Sequence, residues 1–442
     1  MNITKLKEIL RENGIVGAGG AGFPTYAKLD MRADTLILNC AECEPLLKLH
    51  RQVLENNALE ILSTLDQISK ILEVSDVYIG IKASYTSAVN AVKAQITSFP
   101  NIKICSLPEV YPAGDEVVLT YEATKRVVPA GEIPLSVGVT VLNVETVYNV
   151  YRAINEDKPV THKYVTVVGE VKNPITVLAP IGITVDKLIE AAGGVTTDDP
   201  AYLLGGPMMG RLGSPADTIT KTSNAILVLP KNAPLIRRKL SKASISLKRA
   251  MSSCCQCNYC TTLCPRNLLG HPIDPSAFML AASNGDAKNV KPFINTMYCS
   301  GCGLCESFSC VQGLSPRTLI GATKNGLRAN GFKATEKPEM KAVDQNRNLR
   351  MVPVSRLRAR LGLNKYNCAA PLIDFDFKFK QLNISLSQHI GAPSIPIVKK
   401  GDIVAEGQMI AAPAENALSV GIHSPISGTV TLVTGKNIII KA

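Results

Sequence analysis

Two cysteine runs of nearly the same spacing limit what this chain can fold into more than any other feature. The first is Cys254-x2-Cys257-x2-Cys260-x3-Cys264-Pro265; the second is Cys299-x2-Cys302-x2-Cys305-x4-Cys310, without the closing proline. Nine of the thirteen cysteines lie between Cys254 and Cys310, a crowding that suits a metal site and not a disulfide framework. Thiolates are soft ligands, and three at x2 spacing wrap one face of an iron–sulfur cubane from within a tight loop. Where two clusters lie together, the fourth cysteine of each run crosses to the other cluster. The expected ligands are Cys254, Cys257, Cys260 and Cys310 for one [4Fe–4S] cluster, and Cys299, Cys302, Cys305 and Cys264 for the second. Ser300, Gly301 and Gly303 are small enough to let backbone N–H groups approach the sulfurs. The competing reading is a pair of four-cysteine zinc sites, against which a third cysteine at x2 and a following x3-Cys-Pro both argue. Cys255, Cys105 and Cys368 fall outside the pattern and are read as bystander, packed or free thiols.

A pair of clusters makes a one-electron wire, and the expected location is the cytoplasm, where thiols stay reduced and free for metal. The N-terminal MNITKLKEILRENG scatters its charges and has no apolar core of a signal peptide. No run approaches the ~18 apolar residues of a membrane span. Net charge is +12, much of it in Arg237–Arg249 and Arg347–Arg360. No basic face with interleaved aromatics and no reader motif goes with it, so nucleic acid is not an expected partner. The readings kept are solvated linkers beside a metal domain and a docking face for an acidic redox partner, with anionic lipid a distant third.

The 442 residues have length for roughly two to four domains. The front part, 1–158, reads as α/β, with helical periodicity over Ile3–Asn13 and Val53–Leu72 and strand-like runs at Thr35–Asn39, Val77–Ile81 and Val139–Val144. Residues 159–232 read as a small α+β module: a strand at Tyr164–Val171, a helix at Val185–Ala192 ended by Gly193-Gly194, and a strand at Ala225–Leu229. Residues 233–330 hold the cysteines. Residues 331–370 are polar, basic and weakly periodic, a connector, and 371–442 are β-rich with Gly/Pro turns.

The front part supplies what a wire needs at its source. Gly17-Ala-Gly-Gly-Ala-Gly22-Phe23-Pro-Thr-Tyr-Ala-Lys28 sets small residues in succession and then a lysine, a loop whose N–H groups can converge on phosphate. No strand precedes it, so it is not a dinucleotide-binding Rossmann fingerprint; alone it could equally be a flexible turn. It is followed by Asn39-Cys-Ala-Glu42-Cys43-Glu44-Pro45, by Tyr111-Pro-Ala-Gly114-Asp115-Glu116, and by Asn143-Val-Glu-Thr146. These four motifs in this order resemble the flavin- and NADH-binding domain of the 51-kDa subunit of respiratory complex I, over about residues 10–155.

The resemblance implies an FMN site made by Gly17, Gly19, Gly20, Gly22, Lys28, Asn39, Asp115, Glu116, Asn143 and Thr146. It implies that Phe23 stacks on the nicotinamide nucleotide and that Glu42 and Glu44 position it near hydride transfer; the alternative for these two carboxylates is a solvated turn. Asp115 replaces a Glu, Ala41 an Asp, and Met31 a second stacking aromatic. Cys40 and Cys43 are read as packed thiols beside the flavin.

The middle module, with Val168-Gly169-Glu170-Val171 and Leu203–Pro207, resembles the SLBB (soluble-ligand-binding β-grasp) domain, here expected as a spacer. The tail, from Gln388-His389-Ile-Gly-Ala-Pro393 to His423–Gly428, resembles the barrel-sandwich hybrid of lipoyl and biotinyl domains. Its hairpin stretch Ala417–Ile426 has no lysine to carry a swinging arm, and His389 and His423 are read as packing residues.

The whole order resembles the RnfC-type electron-transfer component of Rnf complexes and, more closely, the cobalamin reductase family of propanediol-utilisation microcompartments. The resemblance implies a multidomain α/β protein: a 51-kDa-like FMN domain, a β-grasp module, an α-helical dicluster ferredoxin segment and a β barrel-sandwich tail. It implies NADH as hydride donor, FMN and two [4Fe–4S] clusters as carriers, and cob(III)alamin as acceptor. Expected partners are cobalamin or a corrinoid-handling adenosyltransferase, and a microcompartment shell or redox protein. The alternatives are an Rnf-type component that passes electrons without corrinoid chemistry, and a non-redox module with structural zinc.

Overall fold

The computed structural model describes every residue except 287 and 335–337. The apolar run Thr35–Cys40 forms β1, which lies inside a four-stranded sheet. Its neighbours are β2 (Asp76–Lys82), β3 (Ile102–Leu107) and β5 (Val139–Asn143), with a short β4 (Val110–Tyr111) elsewhere. The order is β3-β2-β1-β5, and all three pairings are parallel. Parallel strands need helices on both faces. The chain supplies α1 (Ile3–Glu12), α2 (Leu49–Asn56), α3 (Ala58–Leu72), α4 (Thr86–Gln95), α5 (Glu116–Thr124) and α6 (Val144–Asn155). The single helical period expected over Val53–Leu72 breaks at Asn57, whose φ of −133° ends α2 and begins α3. Along α3, Ile61, Leu62, Leu65, Ile68 and Leu72 are buried at helical spacing, each contributing roughly 1.5–3 kcal/mol.

This sheet places the site. Strand order runs outward from β1 to β3, then returns to β5 on the other side of β1. Ligands in such sheets sit beyond the C-terminal strand ends at that reversal. Those ends carry Asn39 on β1 and Asn143 on β5, paired in register.

The middle module is a six-stranded sheet, order β12-β7-β6-β10-β8-β9, with β6 His162–Gly169, β7 Ile175–Pro180, β8 Pro200–Leu204, β9 Arg211–Gly213 and β10 Ala225–Pro230. Its edge strand β12 (Leu372–Ile373) was expected with the tail but pairs with β7. The connector is also ordered beyond its weak periodicity. Its β11 (Val352–Pro353) pairs with β4, and Val352, Leu357 and Leu361 are buried. The tail proper is a four-stranded and a three-stranded sheet, and it supplies Leu382, Ile384, Ile410 and Ile440 to the largest core.

Where tail, middle module and flavin domain meet, Lys221 is 1% exposed and donates to Gly14 O and Gly421 O, both at 2.8 Å. Burial pushes its ammonium down to about 7 from 10.5. Between those values the unfolded chain holds a proton that the folded chain has released, so this group makes stability rise with pH across that window. At ~1.4 kcal/mol per pKa unit the rise amounts to several kcal/mol. Lys221→Met is expected to remove it: the difference in denaturant midpoint between the two proteins should change from pH 7 to pH 10, and a constant difference would count against it.

Candidate functional site

Thr146 Oγ1 on α6 accepts from Ala18 N at 2.9 Å, and Gly17 N donates to Phe23 O at 2.9 Å, so the glycine loop folds back over the ends of β1 and β5. A Cβ on Gly19 would lie 2.5 Å from Asn143 Nδ2, which is why the loop can approach that residue only as glycine. Beneath the loop is a cavity of about 280 Å³. Gly17, Gly19, Gly20, Gly22, Phe23, Lys28, Asn39, Glu116, Asn143 and Thr146 all line it. Ten of the thirteen nucleotide-site candidates thus come together.

A second cavity, of about 600 Å³, shares Gly19–Ala21 and Gly114 with the first. It is lined by Glu44 and Asp115, by middle-module residues such as Arg211 and Asn224, and by Ser300 and Cys302. The glycine loop therefore stands between a pocket on the parallel sheet and a chamber that reaches the second cysteine run.

The donors fit a flavin phosphate. Among the described residues the N–H groups of Gly19, Gly20 and Ala21 meet no acceptor in the protein, and the buried Thr25 hydroxyl in the same wall has no partner. Lys28 Nζ donates to Glu116 Oε1 at 2.5 Å and to Val141 O at 3.2 Å, holding its charge at the wall. Helices α5 and α6 both begin here, capped by Asp115 and Asn143, and their positive ends favour an anion. His50 Nε2 lies 3.3 Å from Asn143 Nδ2, and burial pushes its pKa down to about 3, so it contributes no charge.

Glu42 and Glu44 do not stand free. Glu42 Oε1 accepts from His50 N at 3.0 Å and its Oε2 is 3.6 Å from Arg51 Nε, with the side chain 1% exposed. A solvated turn is therefore not what this carboxylate is in. Glu44 faces the larger chamber, but its two oxygens accept from Met208 N at 2.8 Å and Met209 N at 2.7 Å. It ties the flavin domain to the middle module. Burial raises the pKa of both carboxyls. Cys43 lines the larger chamber and burial pushes its thiol up to about 12.

The structure brings the cysteines of the two runs together as two mixed groups of four. Cys254, Cys257, Cys260 and Cys310 ring one small cavity of about 30 Å³, which Cys255 also touches. Cys264, Cys299, Cys302 and Cys305 ring another of about 20 Å³. Among the described residues no three His, Cys, Asp or Glu close on a single ion. Gly301 N donates to Cys299 Sγ and Leu314 N to Cys310 Sγ, each at 3.3 Å, and charge-assisted donors of this kind stabilise thiolate. Gln256 and Asn258 take left-handed backbone (φ 54° and 61°), as do Gly301 and Gly303. Burial pushes Cys260 up to about 12 and Cys302 up to about 11, so loading with iron has to displace protons.

The quartets differ in setting. The quartet containing Cys264 and Cys305 is inner: Cys305 is buried, and Tyr111 Oη donates to Cys302 O at 2.7 Å. Arg266, two residues past Cys264, donates from Nη2 to both oxygens of Asp115 at 2.8 Å. The turn Tyr111–Glu116 thus faces the flavin pocket through Glu116 and grips the inner quartet through Tyr111 and Asp115. The other quartet is outer, with Cys257 exposed. Sequence reasoning missed Arg266 and Tyr111 as contacts; an arginine directly after Cys-Pro and a tyrosine opening the Pro-Ala-Gly-Asp turn were the available signals.

The sequence profile of the Nuo51 FMN-binding domain matches residues 10–152, and that of the SLBB domain matches 164–212. The 4Fe-4S dicluster domain matches 253–315 and the RnfC barrel sandwich hybrid domain matches 364–441. The chain therefore carries an FMN-binding domain and a dicluster domain, in the expected order. A component of the proton-translocating ferredoxin:NAD(+) oxidoreductase complex of Clostridium ljungdahlii is 34% identical over 61% of this chain and 57% of its own length. A polypeptide of the NAD+-reducing [NiFe]-hydrogenase in the H2-reduced state superposes with TM-score 0.51 at 18% identity, covering 76% of this chain and 64% of that one, which establishes likeness of fold. Among the described residues no helix is long and apolar enough to cross a membrane. Cobalamin reductase PduS of Citrobacter freundii is 38% identical over 98% of this chain and 95% of its own length, and with an identity of that extent the chain belongs to the cobalamin reductase PduS family.

Proposed function

We propose that this protein takes hydride from NADH and delivers single electrons to cob(III)alamin. The observation that carries the reading is the Tyr111–Glu116 turn, which borders the glycine-loop pocket with one end and holds both loops of the inner quartet with the other. Bound FMN supplies the exchange between a two-electron hydride and the single electrons that [4Fe–4S] clusters carry.

The chain's residues do the rest. The N–H groups of Gly19, Gly20 and Ala21 and the Lys28 ammonium would hold the phosphate; Asn39, whose Nδ2 donates to Gly114 O at 2.9 Å, would fix the pocket's inner wall. Phe23 would stack on the nicotinamide nucleotide. Glu42 and Glu44 would act by holding His50, Arg51 and the Met208–Met209 turn in place, since both are already hydrogen-bonded. Cys264, Cys299, Cys302 and Cys305 would take the inner cluster, and Cys254, Cys257, Cys260 and Cys310 the outer. A corrinoid-handling adenosyltransferase and a microcompartment shell, inside which the protein would work, fit this role as partners.

Lys28→Ala is expected to lower FMN occupancy several-fold with iron content unchanged; flavin that stays stoichiometric would move the phosphate site elsewhere. The function is tested with anaerobic holoprotein, NADH and cob(III)alamin. Reduction of an artificial dye without reduction of cob(III)alamin would select the Rnf-type reading, and zinc in place of iron the non-redox one.

A further inference from the structure

Between Asp217 and Asp274 the chain has no carboxylate at all, while it places nine Lys and Arg there. The fold gathers part of this charge around the outer quartet. Lys248 and Arg249 are exposed on the helix Ala243–Ser253, which leads directly into Cys254. Arg360, arriving from the connector, points Nη2 at Cys310 O from 3.5 Å. Arg238 lies close enough to feel Glu306, Arg360, Cys310 and Arg249. Of the nearby carboxylates, Asp274 is turned inward to Thr261 and Ala277 N, and Glu306, buried and bonded to Thr318, offsets Arg238, which leaves Lys248, Arg249 and Arg360 as the exposed charges.

Apolar surface is exposed beside the same quartet. Met251 is 61% exposed, Val311 53% and Tyr259 51%, each next to a loop that carries outer-quartet cysteines. Cations also stand at the inner quartet, but they are half-buried and engaged: Arg317 Nη1 donates to Met208 O and Lys324 Nζ to Cys299 O, both at 2.8 Å, and Arg266 is bonded to Asp115. Exposed apolar side chains and exposed cations beside one quartet fit a brief, electrostatically steered encounter with a macromolecule. A free cationic or neutral small molecule would gain nothing from these charges.

We propose that the outer-quartet face is the docking surface for an acidic protein that accepts single electrons, with Lys248, Arg249 and Arg360 as its cationic contacts. This rests on the cluster assignment above and adds to it: electrons enter by the inner quartet and leave by the outer one, and a corrinoid acceptor would be presented here by a protein with an acidic surface.

The test uses iron- and flavin-loaded full-length protein with two carrier proteins of opposite charge as probes, an acidic flavodoxin and a basic cytochrome c. Equilibrium binding of flavodoxin should weaken at least about tenfold between about 20 mM and about 200 mM salt. The exposed double variant Lys248→Glu/Arg249→Glu should weaken it about tenfold at low salt, while iron content and NADH-to-dye reduction stay at wild-type levels. A single Lys248→Gln variant should show a smaller loss in the same direction. Cytochrome c bound as tightly as flavodoxin, indifference to the charge reversal, or capture by phosphatidylserine vesicles in place of flavodoxin would each overturn the proposal. A preparation that lacks iron refutes the cluster assignment instead, so the two failures are separable.

Discussion

Replacing Cys264 with serine is expected to remove the inner cluster and spare the outer one, although Cys264 belongs to the same run as three outer ligands. The reason is spatial: it rings the cavity of Cys299, Cys302 and Cys305, which lies beside Arg266 and the flavin-side turn. Iron should fall from about eight to about four atoms per chain, and electron delivery beyond the flavin should cease. Paired substitutions separate this from ligation within one run. Cys264→Ser with Cys299→Ser should cost no more iron than either alone, because both act on one cluster. Cys264→Ser with Cys254→Ser should remove nearly all of it. The opposite pattern would show that each run closes on its own cluster. Cys255→Ser, on a thiol that is exposed and outside both quartets, should leave the iron unchanged.

The quartets could be read from the sequence because cubane ligation is a local demand: three thiols within seven residues and a fourth at fixed offset leave few ways to wrap a cluster. The parallel sheet was legible for a similar reason, since Thr35–Asn39, Val77–Ile81 and Val139–Val144 are apolar on both faces and only a covered sheet accepts them. The chemistry of Glu44 was not. Its sequence neighbours mark an acidic turn, while its hydrogen bonds go to Met208 and Met209, more than 160 residues away. Nothing local encodes which carboxylate a distant backbone will claim. The same holds for Leu372–Ile373, a two-residue strand whose place on the middle sheet depends on a free edge at β7 and not on its own composition. Val352 and Leu357 show why the connector misled: two or three buried aliphatics among many charges give little periodicity, yet they are enough to seat the segment against β4.

Arg266→Gln is expected to slow the passage of electrons from flavin to clusters without emptying either site. Asp115 has two separate partnerships. Its Oδ1 caps α5 through Val117 N at 3.0 Å and Val118 N at 3.2 Å, and both oxygens accept from the single Arg266 Nη2. Cutting that tie leaves the cap, so Glu116 and the flavin wall should keep their positions, and the four cysteines of the inner quartet remain. What is lost is the rigid tie between that quartet and the flavin-side turn, leaving Tyr111 Oη on Cys302 O as the other link. A quartet that drifts from the flavin lengthens the path the electron must tunnel, and a several-fold loss in rate is expected here. Rapid mixing with NADH resolves it: the flavin should bleach at the wild-type rate while the cluster absorbance follows late. Arg266→Lys keeps a charged donor for Asp115 on a shorter reach, so it should recover part of the rate. Equal slowing of both phases, or iron lost from the variant, would assign Arg266 to holding the fold and leave the spacing of flavin and cluster to Tyr111 alone.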